Sequence, residues 1–468
     1  MIGFQVVVLW SDILIWLLVA AGAGVGVLIA KSPPLLAAWR RVGANRVGMA
    51  SATVLLAFVL IGLLDSLHYR VQMDGKPGQK VTYAIEVLSV LDALAAPLRL
   101  RNEKTYSEPF ATRLYAKETI DLPGGGTVRD YPRLKHGGKH LGEHENEMLA
   151  DAGFTALRAA IVGFLAWLAV VGMATAAVNR ESAAVDVTGW QKIWRGETAF
   201  AWNAVLITLG LILLFVVPLF WLAGSYHVFG TDKVGQDVLY QILKSVRTGL
   251  IIGLVTTLVM LPMAVLLGIV AGYFRGWVDD VIQYLYTVLN SIPGVLLIAA
   301  AVLMMQVVID THPQWFSTAA ERADLRLLAL CFILGITSWT GLCRLLRGET
   351  LKLRELEYIQ AAQAFGVSNW RIIIRHILPN LMHIVIIALV MDFSGLVLAE
   401  AVLSYVGIGV DPSMTSFGTM INNARMELGR EPVVWWSLAA AFSAMFILVL
   451  AANLFADAVR DAFDPRAV

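Results

Sequence analysis

Long apolar stretches alternate with polar segments along the whole chain. Each apolar stretch has about 20 or more residues, the length that a helix needs to cross a hydrocarbon core roughly 30 Å thick. Because a backbone in lipid must pair its own N–H and C=O groups, each stretch is expected to be helical. The pattern therefore predicts an all-α polytopic membrane protein with spans at about 5–30, 47–67, 153–178, 199–223, 247–274, 281–308, 326–345, 380–407 and 434–457. Three prolines inside these spans are expected to kink them: Pro218, Pro262 and Pro293.

The short loops predict the orientation of the chain in the membrane. Lysine and arginine concentrate in cytoplasmic loops, and three loops carry several of them: 31–46, 179–198 and 346–379. These loops follow the first, third and seventh predicted spans, so all three lie on one side, which we assign to the cytoplasm. The N-terminus is then outside, and the C-terminus, with Arg460 and Arg466, is inside.

The composition agrees with this class. Of the 468 residues, 58% are hydrophobic and 15% are charged, whereas a soluble domain is about half apolar and a quarter charged. The net charge of +1 predicts neither a nucleic-acid partner nor an acidic one. Cys331 and Cys343 share one predicted span, too far apart along a helix for a disulfide, and have no metal-type spacing. The apolar start Val6–Ala30 is long for a cleaved leader, which favours a signal anchor or a true span.

Residues 71–152 form the one long polar segment, which the predicted orientation places on the outer face. Turn signals occur at 122–126 and 136–139, and the apolar spacing of 81–94 predicts a short amphipathic helix.

Three histidines in this segment stand at helical intervals of four: His136, His140 and His144. Histidines one helical turn apart can chelate a metal ion. Because the glycine pair after His136 breaks a helix there, we interpret the region as solvated surface, with a metal site as the alternative. No Ser-His-Asp or Cys-His set supports hydrolytic catalysis.

The segment 360–379 is short and basic, and it lies between two apolar spans. Ala361–Ala362 leave one helix face nearly bare, and Gly366 suits a left-handed helix end. Ser368 resembles the cap of a second helical stretch, and Leu378–Pro379 suits the start of the next span. The pattern predicts a small helix-turn-helix that could dock in the groove of a soluble partner. An ordinary basic loop is the alternative.

The order of these residues resembles the coupling loop of binding-protein-dependent ABC importer permeases: Ala-Ala, three residues, Gly, eleven residues, Leu-Pro. That motif usually begins with glutamate, where this chain has Gln360. Other stretches resemble dipeptide and oligopeptide permeases of the second-permease, C-subunit type, although Phe229 and Gln236 stand where leucine and arginine are commoner. These stretches follow the family order over about 199–468: 227–243, 271–280, 398–418 and 457–466.

The resemblance implies a six-span permease core in a bacterial inner membrane, importing di- or oligopeptides or a related solute such as a nickel chelate or a peptide antibiotic. It implies four kinds of contact: a second permease subunit, two ATP-binding subunits, a periplasmic substrate-binding protein and membrane lipid. The chain has no G-x-x-x-x-G-K-[ST] phosphate loop, so we expect a non-catalytic subunit without a cofactor. The residues that would couple to the ATPase are Gln360, Ala361, Ala362, Phe365, Gly366, Trp370, Leu378 and Pro379.

The turn at 230–237 allows two interpretations. Gly230 and Gly235 permit tight turns, and Thr231 and Asp232 could cap an amphipathic helix that begins near Asp237. The turn is either a gate or docking lip beneath the binding protein, or a structural turn that seats an interfacial helix.

Asp392 and Glu400 lie within the span predicted at 380–407. Because intramembrane carboxylates are costly and rarely face lipid, they could line the translocation path, or they could bond to neighbouring helices or to the partner permease. The rival function is a proton-coupled secondary transporter that uses both acids, but it leaves the 360–379 loop unexplained. A third class, a metal-binding or scaffold protein, rests only on the three histidines.

The predicted organisation places an extension before the permease core. Residues 1–198 have no role that the resemblance implies; one hypothesis is that 71–152 contacts the binding protein or the partner permease. The expected segments are two helices in 1–70, an outer polar domain in 71–152, a third helix and linker in 153–198, a first core helix and lip in 199–243, the permease domain in 244–460 with a coupling loop at 346–380, and a tail at 461–468.

Overall fold

The computed structural model describes residues 3–73, 82–122, 126–142, 144–181, 188–316 and 318–463. Nine helices within these ranges are long and apolar enough to cross a membrane: Trp10–Lys31, Arg46–Asp65, Glu145–Arg180, Trp202–Ala223, Val238–Phe274, Gly294–Thr311, Ala319–Arg354, Asn369–Tyr405 and Trp436–Phe463. They confirm the predicted all-α polytopic class.

The helices and strands are named in chain order. The helices are α1 (Trp10–Lys31), α2 (Pro33–Ala44), α3 (Arg46–Asp65), α4 (Val90–Leu94), α5 (Ala96–Arg99), α6 (Met148–Glu181), α7 (Gly189–Arg195), α8 (Trp202–Ala223), α9 (Val238–Phe274), α10 (Trp277–Ser291), α11 (Gly294–Thr311), α12 (Ala319–Ser338), α13 (Thr340–Arg354), α14 (Glu357–Ala364), α15 (Asn369–Ile372), α16 (Leu378–Tyr405), α17 (Phe417–Glu427) and α18 (Trp436–Phe463). The strands are β1 (Phe4–Val7), β2 (His68–Met73), β3 (Thr82–Tyr83), β4 (Leu88–Ser89), β5 (Glu118–Leu122) and β6 (Gly126–Asp130).

The chain divides into two compact units, of which the first comprises Met1–Val8, Gly26–Thr248 and Thr415–Phe455. In it, β2 pairs antiparallel with β1, β3 and β4, with Phe4 opposite Val71, while β5 and β6 form a separate hairpin. Its apolar core joins α4 and α5 to the start of α9 through buried side chains that include Leu91, Leu98, Tyr226, Leu239 and Leu243.

The second unit comprises Leu9–Val25, Gly249–Met414 and Ala456–Val468. Its core lies where α9, α10, α13, α14 and α16 meet, around buried residues such as Trp339, Leu346, Ile359, Ile372 and Ile377. Helices α9, α12 and α13 approach closely, because a Cβ added at Gly268, Gly272 or Gly335 would lie 3.0 Å or less from a backbone oxygen of the facing helix. Small residues at helix contacts allow this close approach within a membrane.

Three predictions of secondary structure were wrong in detail. The first span begins at Trp10, because residues 4–7 pair with β2 as a strand. The span predicted at 281–308 is two helices, α10 and α11, because Pro293 has no N–H to continue the helical hydrogen bonds. The helix predicted over 81–94 is confined to α4; its described earlier part includes β3 and β4. Pro218 and Pro262 do lie inside α8 and α9.

Candidate functional site

The segment 360–379 begins with helix α14, which ends as its sequence predicts. Gly366 has φ +74°, the left-handed conformation expected of a glycine at a helix end. The N–H groups of Gly366 and Val367 donate to the carbonyls of Gln363 and Ala362, at 3.0 and 3.1 Å. Ser368 stands at the N-cap position of α15, but its hydroxyl makes no capping hydrogen bond.

The second half of the segment runs directly into a membrane span. Helix α15 continues through a π-helical turn, Ile373–Ile377, into α16, which starts at Leu378 with Pro379 in its first turn. The helix that crosses the membrane is continuous from Asn369 to Tyr405, so the predicted span start at Leu378–Pro379 lies inside it. Any displacement of α15 is therefore passed to α16 without an intervening flexible loop.

Tyr273, the penultimate residue of α9, ties this segment to the unit's core. Its hydroxyl donates to Asn369 Oδ1 (2.9 Å) and accepts from Gln363 Nε2 (3.2 Å). Its carbonyl accepts from Arg354 Nη1 (2.7 Å). Ile359 of α14 is fully buried in the same core. Sequence reasoning missed Tyr273, because nothing local indicates that residues so far apart meet.

Two aromatic side chains are exposed on the outer surface of the segment. Phe365 is 88% exposed and Trp370 is 55% exposed. Ala361 is exposed and Ala362 half-buried, so little side-chain bulk separates the backbone of α14 from an approaching partner. Gln360 is exposed and its Nε2 donates to the Glu355 carbonyl at 3.3 Å.

A bidentate ion pair lies nearby in the same unit. Arg347 Nε and Nη2 each donate to one carboxylate oxygen of Asp279, at 2.6 Å. The hydrogen bonds from Arg347 hold the pKa of Asp279 below its ordinary value. This geometry is the strongest form of the arginine–carboxylate pair, and it fixes the start of α10 to α13.

The turn at 230–237 lies in the first unit and is largely buried by the outer segment. His227 bonds through Nδ1 to Asp237 Oδ2 (2.7 Å) and through Nε2 to Glu103 Oε1 (3.3 Å). The Glu103 carboxylate also accepts the backbone N–H groups of residues 135–137, at 2.7 to 3.1 Å. All three side chains are almost fully buried.

Opposite charges set the protonation of this triad. Burial opposes both charged forms, yet hydrogen bonds to Asp237 and Glu103 raise the pKa of His227 to about 9. Despite burial, hydrogen bonds from His227 and from the backbone lower the pKa of Glu103 to about 2. His227 is therefore an imidazolium and Glu103 a carboxylate across the neutral pH range.

Two other contacts hold the turn. Thr231 is fully buried: its hydroxyl donates to the Thr105 carbonyl (2.9 Å) and accepts from the Ser107 N–H (2.7 Å). Its own carbonyl accepts from Trp436 Nε1 at 3.0 Å. Gly235, with φ +75°, has no room for a Cβ because the Glu103 backbone lies against it. Gly230 is also left-handed, with φ +70°.

The capping prediction for this turn was wrong. Asp237 caps α9, since its Oδ1 accepts from the Leu239 N–H at 2.8 Å. Asp232 instead accepts N–H groups of the turn itself, from Val234 (3.0 Å) and Gln236 (2.8 Å). The expected separate interfacial helix is the beginning of α9, which continues to Phe274. Sequence reasoning missed Glu103, His227 and Trp436.

The two intramembrane acids lie on α16 in different surroundings. Glu400 is buried, and its Oε1 accepts from the Ser404 hydroxyl one turn later, at 2.5 Å. Asp392 is half-buried and makes no hydrogen bond within the part of the chain that the structure describes. Their roles in a translocation path stay predictions.

The three histidines do not lie on one helix. His140 is in a short 3₁₀ turn and its Nε2 lies 2.8 Å from Asp151 Oδ2, while His144 precedes another 3₁₀ turn. The N–H of His136 donates to Glu103. Among the described residues, which exclude Glu143, no group of three His, Cys, Asp or Glu side chains could hold a metal ion.

Comparison with known proteins identifies the chain. Residues 264–468 match the model of the family described as "binding-protein-dependent transport system inner membrane component". The chain is 31% identical over 302 residues to the glutathione transport system permease protein GsiD of Pectobacterium atrosepticum, covering 60% of this chain and 92% of that protein. It is 31% identical to the oligopeptide transport system permease protein OppC of Mycobacterium tuberculosis, covering 52% of this chain and 77% of that protein. It is 27% identical to the dipeptide transport system permease protein DppC of Bacillus subtilis, covering 62% and 88%.

These relatives favour an ATP-driven permease over a proton-coupled carrier. A permease of this kind works with a separate ATPase and a substrate-binding protein and is not itself an enzyme. The chain belongs to the family of binding-protein-dependent transport system inner membrane components and is a multi-pass permease subunit of an ABC importer.

Proposed function

We propose that this permease imports di- or oligopeptides, or a related small solute, and that residues 360–379 transmit ATPase closure to the membrane helices. The exposed Phe365 carries the proposal, because its aromatic ring stands at the turn that joins α14 to α15, where a docking partner can reach it. Aromatic anchors that fill a pocket are the usual centres of protein interfaces.

The connections of the loop explain how movement would reach the pore. Phe365 and Gly366 lie between α14, which is anchored by Ile359, and α15, which continues into α16. Tyr273 links both short helices to the end of α9. A force applied at Phe365 would therefore move α9 and α16 together, as alternating access requires.

The test of this coupling is co-purification of the ATPase from detergent-solubilised membranes. Phe365→Ala should abolish retention of the ATPase, whereas Trp315→Ala, which removes another exposed aromatic side chain, should keep it. Equal retention in wild type and Phe365→Ala would contradict docking at this loop. Asp392→Asn should keep ATP-driven uptake. Loss of uptake in this variant, together with wild-type uptake driven by a proton gradient alone, would support the proton-carrier alternative.

The solute class rests on the named systems of the relatives, which comprise glutathione, dipeptide and oligopeptide transport. All three solute types carry peptide bonds and charged termini. Uptake of labelled dipeptide, oligopeptide and nickel chelate in cells with and without the chain would distinguish them. Chain-dependent uptake of the chelate alone would overturn the peptide assignment.

The proposed orientation has the N-terminus outside, the C-terminus in the cytoplasm and a different permease as partner. Two contacts, each within one unit, support this orientation, because it places both partners of each contact on the outer face. The Ser11 N–H donates to Asp324 Oδ2 (3.0 Å), and Glu103 bonds to His227. A membrane-impermeant maleimide should label Val234→Cys from outside and Phe365→Cys only after the cytoplasmic face is opened. The reverse pattern would invert the topology.

For the extension, we propose that the outer segment braces the 230–237 turn. Gly230, Thr231, Gly235 and Asp237 are buried, which leaves the exposed Val234 and its neighbours in 71–152 as the surface that a binding protein would meet. Crosslinking from Val234→Cys should capture the binding protein. Capture of the ATPase instead would contradict the assignment.

A further inference from the structure

An open apolar groove of about 460 Å³ lies in the first unit between α3, α8 and α18. Small side chains form its floor: Ser51 and Ala451 are buried, and Ala50 and Ala204 are half-buried. Larger exposed side chains, such as Ile207 and Ile447, form its rims. The three helices are membrane spans, so the groove opens within the bilayer region.

The groove offers almost nothing to a polar occupant. The Ser51 hydroxyl, which lies on the floor, donates to the carbonyls of Val47 and Gly48 of its own helix, at 2.9 and 3.0 Å. A serine bonded in this way has its hydroxyl proton satisfied within its own helix. A hydrocarbon chain therefore suits the groove.

Nitrogen donors lie beside Gly196, next to the end of the groove that Arg46 lines. Arg46, the first residue of α3, lines it, is exposed and forms no ion pair within the described residues. Its Nη2 and the Nδ2 of the buried Asn203 lie 3.2 and 3.6 Å from the point where a Cβ on Gly196 would stand. Two such donors in one small space fit an anionic oxygen group.

Basic residues outnumber acidic ones in the segments at this end, where the exposed acidic Glu197 directly follows Gly196. Helix α2, which directly precedes α3, carries Arg40 and Arg41, both exposed and without an acidic partner in the described chain. Helices α3 and α8 both start at this end and α18 finishes there, on the side assigned to the cytoplasm. A bilayer leaflet that contains anionic lipids attracts such a basic cluster.

We propose that the groove binds one anionic phospholipid. Its acyl chain would lie along α3, α8 and α18, and its phosphate oxygens would accept hydrogen bonds from Arg46 and Asn203. A helix of a second subunit is the rival occupant, but an apolar helix would bring no charge to match Arg46. The bound lipid would hold the extension helix α3 against α8 and α18, whatever solute the permease carries.

The experiment is native mass spectrometry of the full-length chain, released from nanodiscs made of phosphatidylcholine with phosphatidylglycerol. Wild type should keep one phosphatidylglycerol molecule in preference to phosphatidylcholine. Arg46→Gln should weaken this retention about fivefold, the effect of removing one cation at a membrane surface. Ala50→Leu should also reduce it, because the larger side chain occupies the floor.

Two control variants make comparable changes outside the groove. Arg180→Gln removes an exposed arginine on the same predicted side, and Ala439→Phe adds bulk to an exposed position of α18. Both should retain the lipid, and a thermal melt of each variant confirms folding. Equal retention of both lipids by wild type, or unchanged retention in folded Arg46→Gln and Ala50→Leu, overturns the proposal. If Ala50→Leu releases a second membrane subunit but keeps the lipid, the groove binds a protein partner. That result also overturns the proposal.

Discussion

Glu103 and His227 lie 3.3 Å apart, Oε1 to Nε2, although 124 positions separate them in the sequence. Glu103 belongs to the segment that precedes the permease core, and His227 stands just before α9. Their contact joins the extension to the turn at 230–237 through a charged pair that is closed to solvent. The extension is thus part of the fold of that turn rather than an appended tail.

Glu103→Gln should destabilise the outer segment by roughly 3–5 kcal/mol, the range seen when one partner of a buried ion pair is removed. The neutral amide removes the negative charge beside the imidazolium of His227. It also accepts more weakly the hydrogen bonds from the three backbone N–H groups of residues 135–137. Hydrogen exchange of residues 101–115 would measure the loss. Glu118→Gln, which breaks the surface pair with Lys104, should cost less than about 1 kcal/mol. Equal effects of the two changes would contradict the role of Glu103.

The same pair predicts how stability depends on pH. Since the pKa of His227 is raised from 6.5 to about 9, its contribution is complete below pH 6.5 and is lost as pH rises through 9. Since the pKa of Glu103 is lowered from 4.5 to about 2, its contribution is complete above pH 4.5 and is lost as pH falls towards 2. The melting temperature should therefore be highest between pH 4.5 and 6.5, and it should fall from pH 6.5 to 9. His227→Gln should flatten the alkaline part of the curve; an unchanged curve would contradict the assignment.

Much of the fold could be predicted from local patterns. The lengths of the apolar stretches indicate nine spans, and Gly366 marks a helix end through its own backbone preference. Pro293 was predicted to kink one helix, but it separates two helices. The sequence remains apolar across this break, so hydrophobicity alone does not show that the helical hydrogen bonds stop there.

Long-range pairs could not be predicted in this way. Tyr273 meets Asn369 and Glu103 meets His227 only after distant helices have packed. Neither hydrophobic periodicity nor a turn signal predicts such contacts between residues far apart in the sequence. The start of the chain was mistaken for the same reason: residues 4–7 are apolar enough for a span, but they pair with β2, which follows three intervening helices.

Close helix packing in the second unit makes a third prediction. Gly268→Ala should destabilise the protein by about 1–3 kcal/mol, because its Cβ would lie 2.8 Å from the Cys343 carbonyl oxygen. Gly348→Ala on α13 adds the same methyl group where nothing lies within 4 Å, and it should be neutral or stabilising by up to about 1 kcal/mol. Thermal melting in detergent compares the two. A stable Gly268→Ala protein would show that α9 and α13 can separate at little cost.

Gly366 tests whether the coupling loop depends on backbone conformation. Its φ is +74° and no atom lies within 4 Å of an added Cβ, so Gly366→Ala introduces no clash, only a left-handed conformation that costs about 1–2 kcal/mol. ATPase retention should fall roughly tenfold in Gly366→Ala, and Gly366→Asn should lose less because asparagine adopts this conformation more readily. Gly395→Ala, an open position within α16, should behave as wild type. If alanine and asparagine reduce retention equally, the added side chain obstructs the ATPase directly; if neither does, the turn at Gly366 is not part of the docking surface.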